Sequence, residues 1–371
     1  MSGICGEVFV VLVPDTKSNQ MVIFGRNGIR QVSDGLDDVT EVCYCPGSAE
    51  PSEKVTCDSV EIEGASTFSV ILNQPAGVWG AESGSNEKGV CIGLTFSEGH
   101  PVDGKLNATD MVRLGLERGA SAPEAVDRIV ELSTAAGPPG ESKESAKASF
   151  VICDCNEIWL LNIVGSLWAA QKLLTNATAL KPGLTIDNRI DRCSDGLASK
   201  LQEAGIWDGS GELHFSSVFG HDSTRSWPIG EPIDTKSFGI CRMFETLRAA
   251  GSQRESLSSH VSVLSREGLS SHWFTATPNP VESVFKPFIF TAGAKISPLT
   301  KLLANTGEKL TLLHKLHSNR KWEAVGDLLQ SLESACVDEV NRFISEHSGE
   351  PNHELDELLK DCVEAEVKFY R

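Results

Sequence analysis

No stretch of this 371-residue chain approaches the roughly 20 uninterrupted apolar residues that a membrane helix needs. The N-terminus has no basic flank followed by a long apolar segment, so a secretory signal is not expected. Basic side chains are in deficit, 33 against 51 acidic, for a formal net charge of −18. No Lys/Arg run with interleaved aromatics offsets that charge, so nucleic acid and anionic lipid surfaces are excluded as partners. The eleven cysteines are an odd number in a long chain without an export signal. They are expected to be reduced thiols of a cytoplasmic protein, and the Asn-x-Thr triplets at Asn107 and Asn176 to carry no glycan.

Cofactor motifs are also missing. Cys43-Tyr44-Cys45 and Cys153-Asp154-Cys155 are CxC pairs, whereas structural zinc sites space their ligands C-x₂₋₄-C, and no His pair completes either. His314 and His317 lie one helical turn apart without the HExxH carboxylate. The glycines of Gly80–Gly89 lack the GxxxxGK[ST] order and read as a tight loop between strands. No metal and no organic cofactor is expected. There is no Ser-centred nucleophile elbow, internal repeat or low-complexity tail.

What the chain does have is a 40% hydrophobic fraction, enough for a large core. Apolar runs at 8–13 and 21–24 flank the turn-rich PDTKSNQ and predict a hairpin; 66–72 and 89–96 predict two more strands. TDMVRLGLERG predicts a helix capped by Thr109, and Ser121-Ala122-Pro123-Glu124 a capping box before the next. SFVIC and IWLLNIVG predict a second hairpin, 242–247 a short helix, and HVSVLS, HWFTATP and FKPFIFT late strands. From about residue 310 the periodicity is helical. This is not βαβα alternation; it predicts an α+β fold of antiparallel sheets with helices packed outside.

One residue raises a chemical question. Cys5 heads the first apolar run, and the hairpin carries the chain back to Gly25-Arg26-Asn27-Gly28-Ile29-Arg30. An N-terminal nucleophile needs this layout. A thiol on the first residue of a strand can use its own α-amine, which titrates near ~7.7–8.0, as base. The competing reading is a packing cysteine beside an apolar strand.

Several segments in order along the chain resemble the secernin family of dipeptidase-like N-terminal-nucleophile hydrolases. They include VIFGRN (22–27), PAGVWGAESGSNEKGVCIG (75–93), DMVRLGLERG (110–119), GIWDGSGELHFSSVF (205–219), FTATPNPVESVFKPFIF (274–290) and DCVEAEVKFY (361–370). The resemblance implies a four-layer αββα sandwich with the nucleophile heading the first strand. Counting back from VIFGRN without gaps puts Glu7 or Phe9 at the family's cysteine position. An even insertion in PDTKSNQ would bring Cys5 there on the same face, because side chains alternate with period 2. Three positions depart from the family: Ile29 replaces a carboxylate, Leu94-Thr95 replaces an oxyanion-hole asparagine, and Pro182 lies where a later asparagine is lost.

The resemblance implies a cysteine-type dipeptidase or amidase. Cys5 is its nucleophile, Asn27 and Arg30 position the substrate, Thr95 is a weaker oxyanion donor, and Trp79, Glu82 and Asn86 shape the binding side. The substrate is a small peptide or amide. The alternative is a non-catalytic or repurposed descendant that binds a small molecule or a protein partner, in exocytosis-related regulation. A homo-oligomer stays open. Residues 1–309 are expected to form the sandwich and 310–371 a helical extension packed on it.

Overall fold

The computed structural model describes residues 4–14, 20–29, 39–98, 106–135, 145–221, 233–251, 256–303, 309–346 and 353–370. The first half opens with strands β1 (Cys5–Val13), β2 (Met21–Ile29), β3 (Thr40–Cys45), β4 (Lys54–Thr56) and β5 (Glu61–Glu63). Then come β6 (Val70–Pro75), β7 (Ser83–Asn86) and β8 (Cys91–Glu98), followed by helices α1 (Ala108–Arg118) and α2 (Ala122–Ala135). Next are β9 (Lys147–Cys153), β10 (Ile158–Val164), β11 (Leu167–Lys172), β12 (Ala177–Leu180) and β13 (Arg192–Cys193). Three helices follow, α3 (Leu197–Glu203), α4 (Phe215–Val218) and α5 (Ile240–Gly251), then β14 (Ser256–Ser265), β15 (Ser271–Phe274) and β16 (Lys286–Phe288). Helices α6 (Leu312–Asn319), α7 (Trp322–Glu346) and α8 (Leu358–Phe369) complete the chain.

All the described strand pairs are antiparallel. The strands form two layers. One contains β12, β1, β2, β14, β15 and β16; the other runs β13-β11-β10-β9-β8, with β7, β6 and β3 continuing from β8. The layers join at a single register point, where Cys5 of β1 faces Phe96 of β8.

Alternation along β1 explains the layering. Val8 and Val10 join Phe24, Cys91, Val151 and Leu160 in the core between the sheets. Phe9, Val11 and Val13 point the other way, to Phe244 and Leu247 of α5 and Val337 and Val340 of α7. On the far sheet, Ile92, Leu94 and Phe150 pack against Val112 and Leu116 of α1 and Ile129 of α2. The order is therefore helix, sheet, sheet, helix, as the sequence leads one to expect. In the outer layer the Phe244 and Phe285 rings stack 4.1 Å apart, worth about 0.5–1.5 kcal/mol beyond their burial.

Two local expectations change, and one strand appears that the sequence did not announce. The glycine-rich 80–89 segment is not simply a loop: Ser83–Asn86 forms β7, pairing with β6 and β8. Its small residues hide the alternation on which strand recognition depends. The cap of α1 is Asn107, not Thr109. Asn107 Oδ1 accepts from Asp110 N at 2.7 Å, and Asp110 Oδ2 accepts from Asn107 N at 3.1 Å. A cap needs extended backbone, which Asn107 has, while Thr109 is already helical. LWAAQK, whose period is obscured by burial on both faces, forms β11. Among the described residues no helix is long and apolar enough to cross a membrane.

Candidate active site

The β1–β2 register sets Cys5 opposite Ile29, Gly6 opposite Gly28, Glu7 opposite Asn27 and Val8 opposite Arg26. The paired glycines matter because of what occupies the space above them. A Cβ on Gly6 would meet the Arg26 guanidinium at 2.7–2.8 Å, and one on Gly28 would meet Glu82 Oε2 at 3.0 Å. Arg26 thus lies across a floor of bare backbone immediately beside Cys5.

Arg26 is 1% exposed and Glu82 5%. Arg26 Nη1 donates to Glu82 Oε2 at 2.9 Å, and Nε donates to the Leu94 carbonyl at 2.9 Å. That carbonyl sits at a register shift between Leu94 and Phe96. Such a bulge removes a residue from regular pairing and can re-aim backbone groups. Arg26 Nη2 is buried with no hydrogen-bond partner among the described residues. A buried guanidinium with a spare donor costs free energy unless something fills that position.

Behind this pair runs a buried polar seam between the sheets. Asn73 Nδ2 donates to Ser258 Oγ at 2.8 Å. His260, opposite Arg26 across β2 and β14, is hydrogen-bonded to Ser83 Oγ at 3.2 Å and Ser262 Oγ at 2.8 Å. Ser262 Oγ also contacts His272 Nδ1 at 2.8 Å and Ser85 Oγ at 2.9 Å. Burial pushes His272 down to about 3. It also holds His260 well below its ordinary value, with the neighbouring His272 and the Arg26 charge adding to the effect. Both are neutral imidazoles at neutral pH.

The other sequence candidates are placed as follows. Asn27 donates from Nδ2 to the Leu247 carbonyl of α5 at 2.8 Å and accepts from Ser259 Oγ at 2.6 Å, so both its ends are engaged. Thr95 donates its hydroxyl to the Ser149 carbonyl at 3.0 Å. Asn86 donates to the carbonyls of Leu116 and Gly119 and accepts from the amides of Lys88 and Val90, stapling its own turn to the end of α1. Trp79 and Glu82 part company: Glu82 is interior, whereas the Trp79 ring carries the Arg113 guanidinium at 4.1 Å in a small peripheral cluster. Arg30 lies outside the described residues.

Arg26 is the site residue that sequence reasoning missed, whereas His260 and His272 are the hydrogen-bonded core histidines of strands that it allows. A signal existed: a charged residue inside the apolar VIFGRN run, with glycines on both sides of Arg26-Asn27. Asn162 was also missed. Its Oδ1 accepts from the Thr185 and Ile186 amides at 2.8 and 2.9 Å, and its Nδ2 donates to Ser149 Oγ at 2.8 Å. Beside Cys5's partner Phe96 lies the ring of His221, edge-on at 5.1 Å. Burial lowers the His221 pKa, and Lys147 lowers it further.

The glycine floor is testable by one methyl group. Gly6→Ala is expected to cost about 1–3 kcal/mol, because the new Cβ displaces the fixed guanidinium. Urea unfolding measures it, and a cost below about 0.5 kcal/mol would show that Arg26 moves freely.

Residues 75–227 match peptidase family C69. Among solved structures, a mutant conjugated bile acid hydrolase from Clostridium perfringens is similar at 11% identity and TM-score 0.39, covering 81% of this chain and 100% of its own. The Caenorhabditis elegans N-acylethanolamine-hydrolyzing acid amidase ortholog is similar at 11% identity and TM-score 0.33, covering 69% of this chain and 92% of its own.

Proposed function

For a chain related to peptidase family C69 through residues 75–227, we propose a cysteine-type hydrolase of the N-terminal-nucleophile kind. It acts on small peptides or amides after removal of the residues before Cys5. The observation that carries this reading is the Arg26 guanidinium, spread over Gly6 with one buried donor unused.

In this reading the new α-amine of Cys5 takes the thiol proton and the sulfur attacks the substrate carbonyl. The same amine then protonates the departing nitrogen, leaving a thioester that water hydrolyses. The oxyanion donor is a backbone group. Ser97 N donates to the Ile4 carbonyl at 2.8 Å in the unprocessed chain, and removal of Ile4 frees that amide beside the thiol. It takes the place of the asparagine that Leu94-Thr95 lacks, where one donor is worth on the order of 10²–10³ in turnover. Arg26 Nη2 takes the polar end of the substrate, a role that Arg30 shares on sequence grounds.

A binding role without turnover is the second reading. What favours it is that Asn27 and Thr95 spend their polar atoms internally and that Ile29, not a carboxylate, faces Cys5. A protein partner and the exocytosis-related role belong to that reading. Assay of the matured chain on dipeptides and small amides separates the two. Turnover that Cys5→Ala abolishes supports the hydrolase. Unchanged turnover in that variant removes Cys5 from the mechanism, and no turnover on any substrate favours binding.

A further inference from the structure

Among the described residues no cysteine is in a disulfide, yet Cys336 and Cys362 meet sulfur to sulfur, a pair separate from Cys91 and Cys153, which face each other across β8 and β9. Cys336 of α7 and Cys362 of α8, 26 residues apart in the chain, have their Sγ atoms 3.3 Å apart. Both are buried, at 6% and 7% exposure. Around them are Val337, Val340 and Leu358, with the Lys286 ammonium near enough to act on both thiols. A disulfide has its sulfurs about 2.05 Å apart, so bond formation needs the two atoms to close by little more than about 1 Å.

We propose that Cys336 and Cys362 are an oxidation site, converted by hydrogen peroxide or a comparably small hydroperoxide into a disulfide that clasps α8 to α7. The Cys336 thiolate attacks one peroxide oxygen and the O–O bond breaks, giving a sulfenic acid and a hydroxide that becomes water. The Cys362 sulfur then attacks the sulfenic sulfur, the S–O bond breaks, and the Cys362 proton leaves with the oxygen as a second water. Two thiols and one peroxide yield one disulfide and two waters.

The environment assigns the order of attack. The contact between the two sulfurs, 3.3 Å apart, lowers the pKa of Cys336 and raises that of Cys362. Thiolate character decides which sulfur is oxidised first.

The clasp bears on the helical layer behind the candidate site. Glu333, one turn before Cys336, accepts from Arg248 Nη2 at 2.7 and 2.9 Å and from Phe285 N at 2.8 Å. Arg248 neighbours Leu247, whose carbonyl holds Asn27. On α8, Glu366 holds the buried Lys286 ammonium at 2.7 Å. Oxidation fixes these helices to one another without adding charge to the core.

The full chain is treated with hydrogen peroxide, quenched with catalase, alkylated under denaturing conditions and mapped by peptide mass. Alkylatable thiols are expected to fall from eleven to nine. One cross-linked peptide joining Cys336 to Cys362 appears, about 2 Da lighter than its reduced parts, and is absent from Cys336→Ser and Cys362→Ser. The midpoint of thermal unfolding rises by several degrees and returns on reduction with dithiothreitol. Because the wild-type chain itself supplies these readouts, a variant that fails to fold does not blunt the test. The proposal is overturned if both cysteines stay alkylatable while others oxidise, if Cys336 goes to sulfinic acid without a cross-link, or if the cross-linked chain is no more heat-resistant.

Discussion

Arg26→Met is expected to destabilise the protein by about 3–5 kcal/mol, the largest effect of any single substitution near the candidate site. The magnitude comes from what stays behind. Glu82 is a buried carboxylate whose cation is Arg26 Nη1 at 2.9 Å. Removing the cation strands that charge, and the Leu94 carbonyl also loses its donor. The pair itself is worth far less than its breakage, because both ions lost water on burial. The double variant Arg26→Met/Glu82→Gln is therefore expected to recover at least half the loss. Arg26→Lys keeps the charge but cannot reach Glu82 and Leu94 together, so its cost falls between wild type and Arg26→Met. Urea unfolding of wild type, Arg26→Met, Glu82→Gln and the double variant closes the cycle, with Arg26→Lys measured beside them. A single-variant cost below about 1 kcal/mol would mean that water reaches Glu82 and that the floor beside Cys5 is open.

The second large effect is loss of stability in acid through the seam histidines. The fold keeps His272 neutral down to about pH 3 and His260 neutral well below its ordinary value. Unfolding restores both to about 6.5, so the unfolded chain binds more protons below that pH. Their contribution is complete above about pH 6.5 and is lost progressively as pH falls toward the folded values. His272 alone accounts for roughly 3 kcal/mol between pH 6.5 and 4. His272→Gln is expected to lose correspondingly less over the same interval, whatever its stability at pH 7. Parallel pH profiles for the two proteins would show that the imidazole is already charged in the fold.

Most of the fold was legible because burial writes itself as periodicity. The apolar run at Val8–Val13, bounded by the turn-rich PDTKSNQ, and the helical repeat after residue 310 each predicted the right element. Legibility failed where side chains are too small to show a period, as in Ser83–Asn86, or where both faces are buried, as in Leu167–Lys172. The site was harder to read for a different reason. Asn27 and Asn86 have the polar side chains that sites use, but whether such a group faces a substrate or a neighbouring backbone depends on contacts far off in sequence. Leu247 lies 220 residues from Asn27. Glu82, 56 residues from Arg26, could be identified as the partner of that guanidinium only once β2 and β7 were placed in space.

In the proposed mechanism Cys5 becomes the first residue, freeing both its amine and the Ser97 amide. Its most direct test is the intact mass of the protein purified from the cell that makes it. The expected mass is that of a chain beginning at Cys5, whose thiol one equivalent of a small electrophile modifies with loss of hydrolysis. A chain that begins at Met1 or Ser2 and stays so would contradict it, since the thiol would lack its base and Ile4 would still occupy the Ser97 donor.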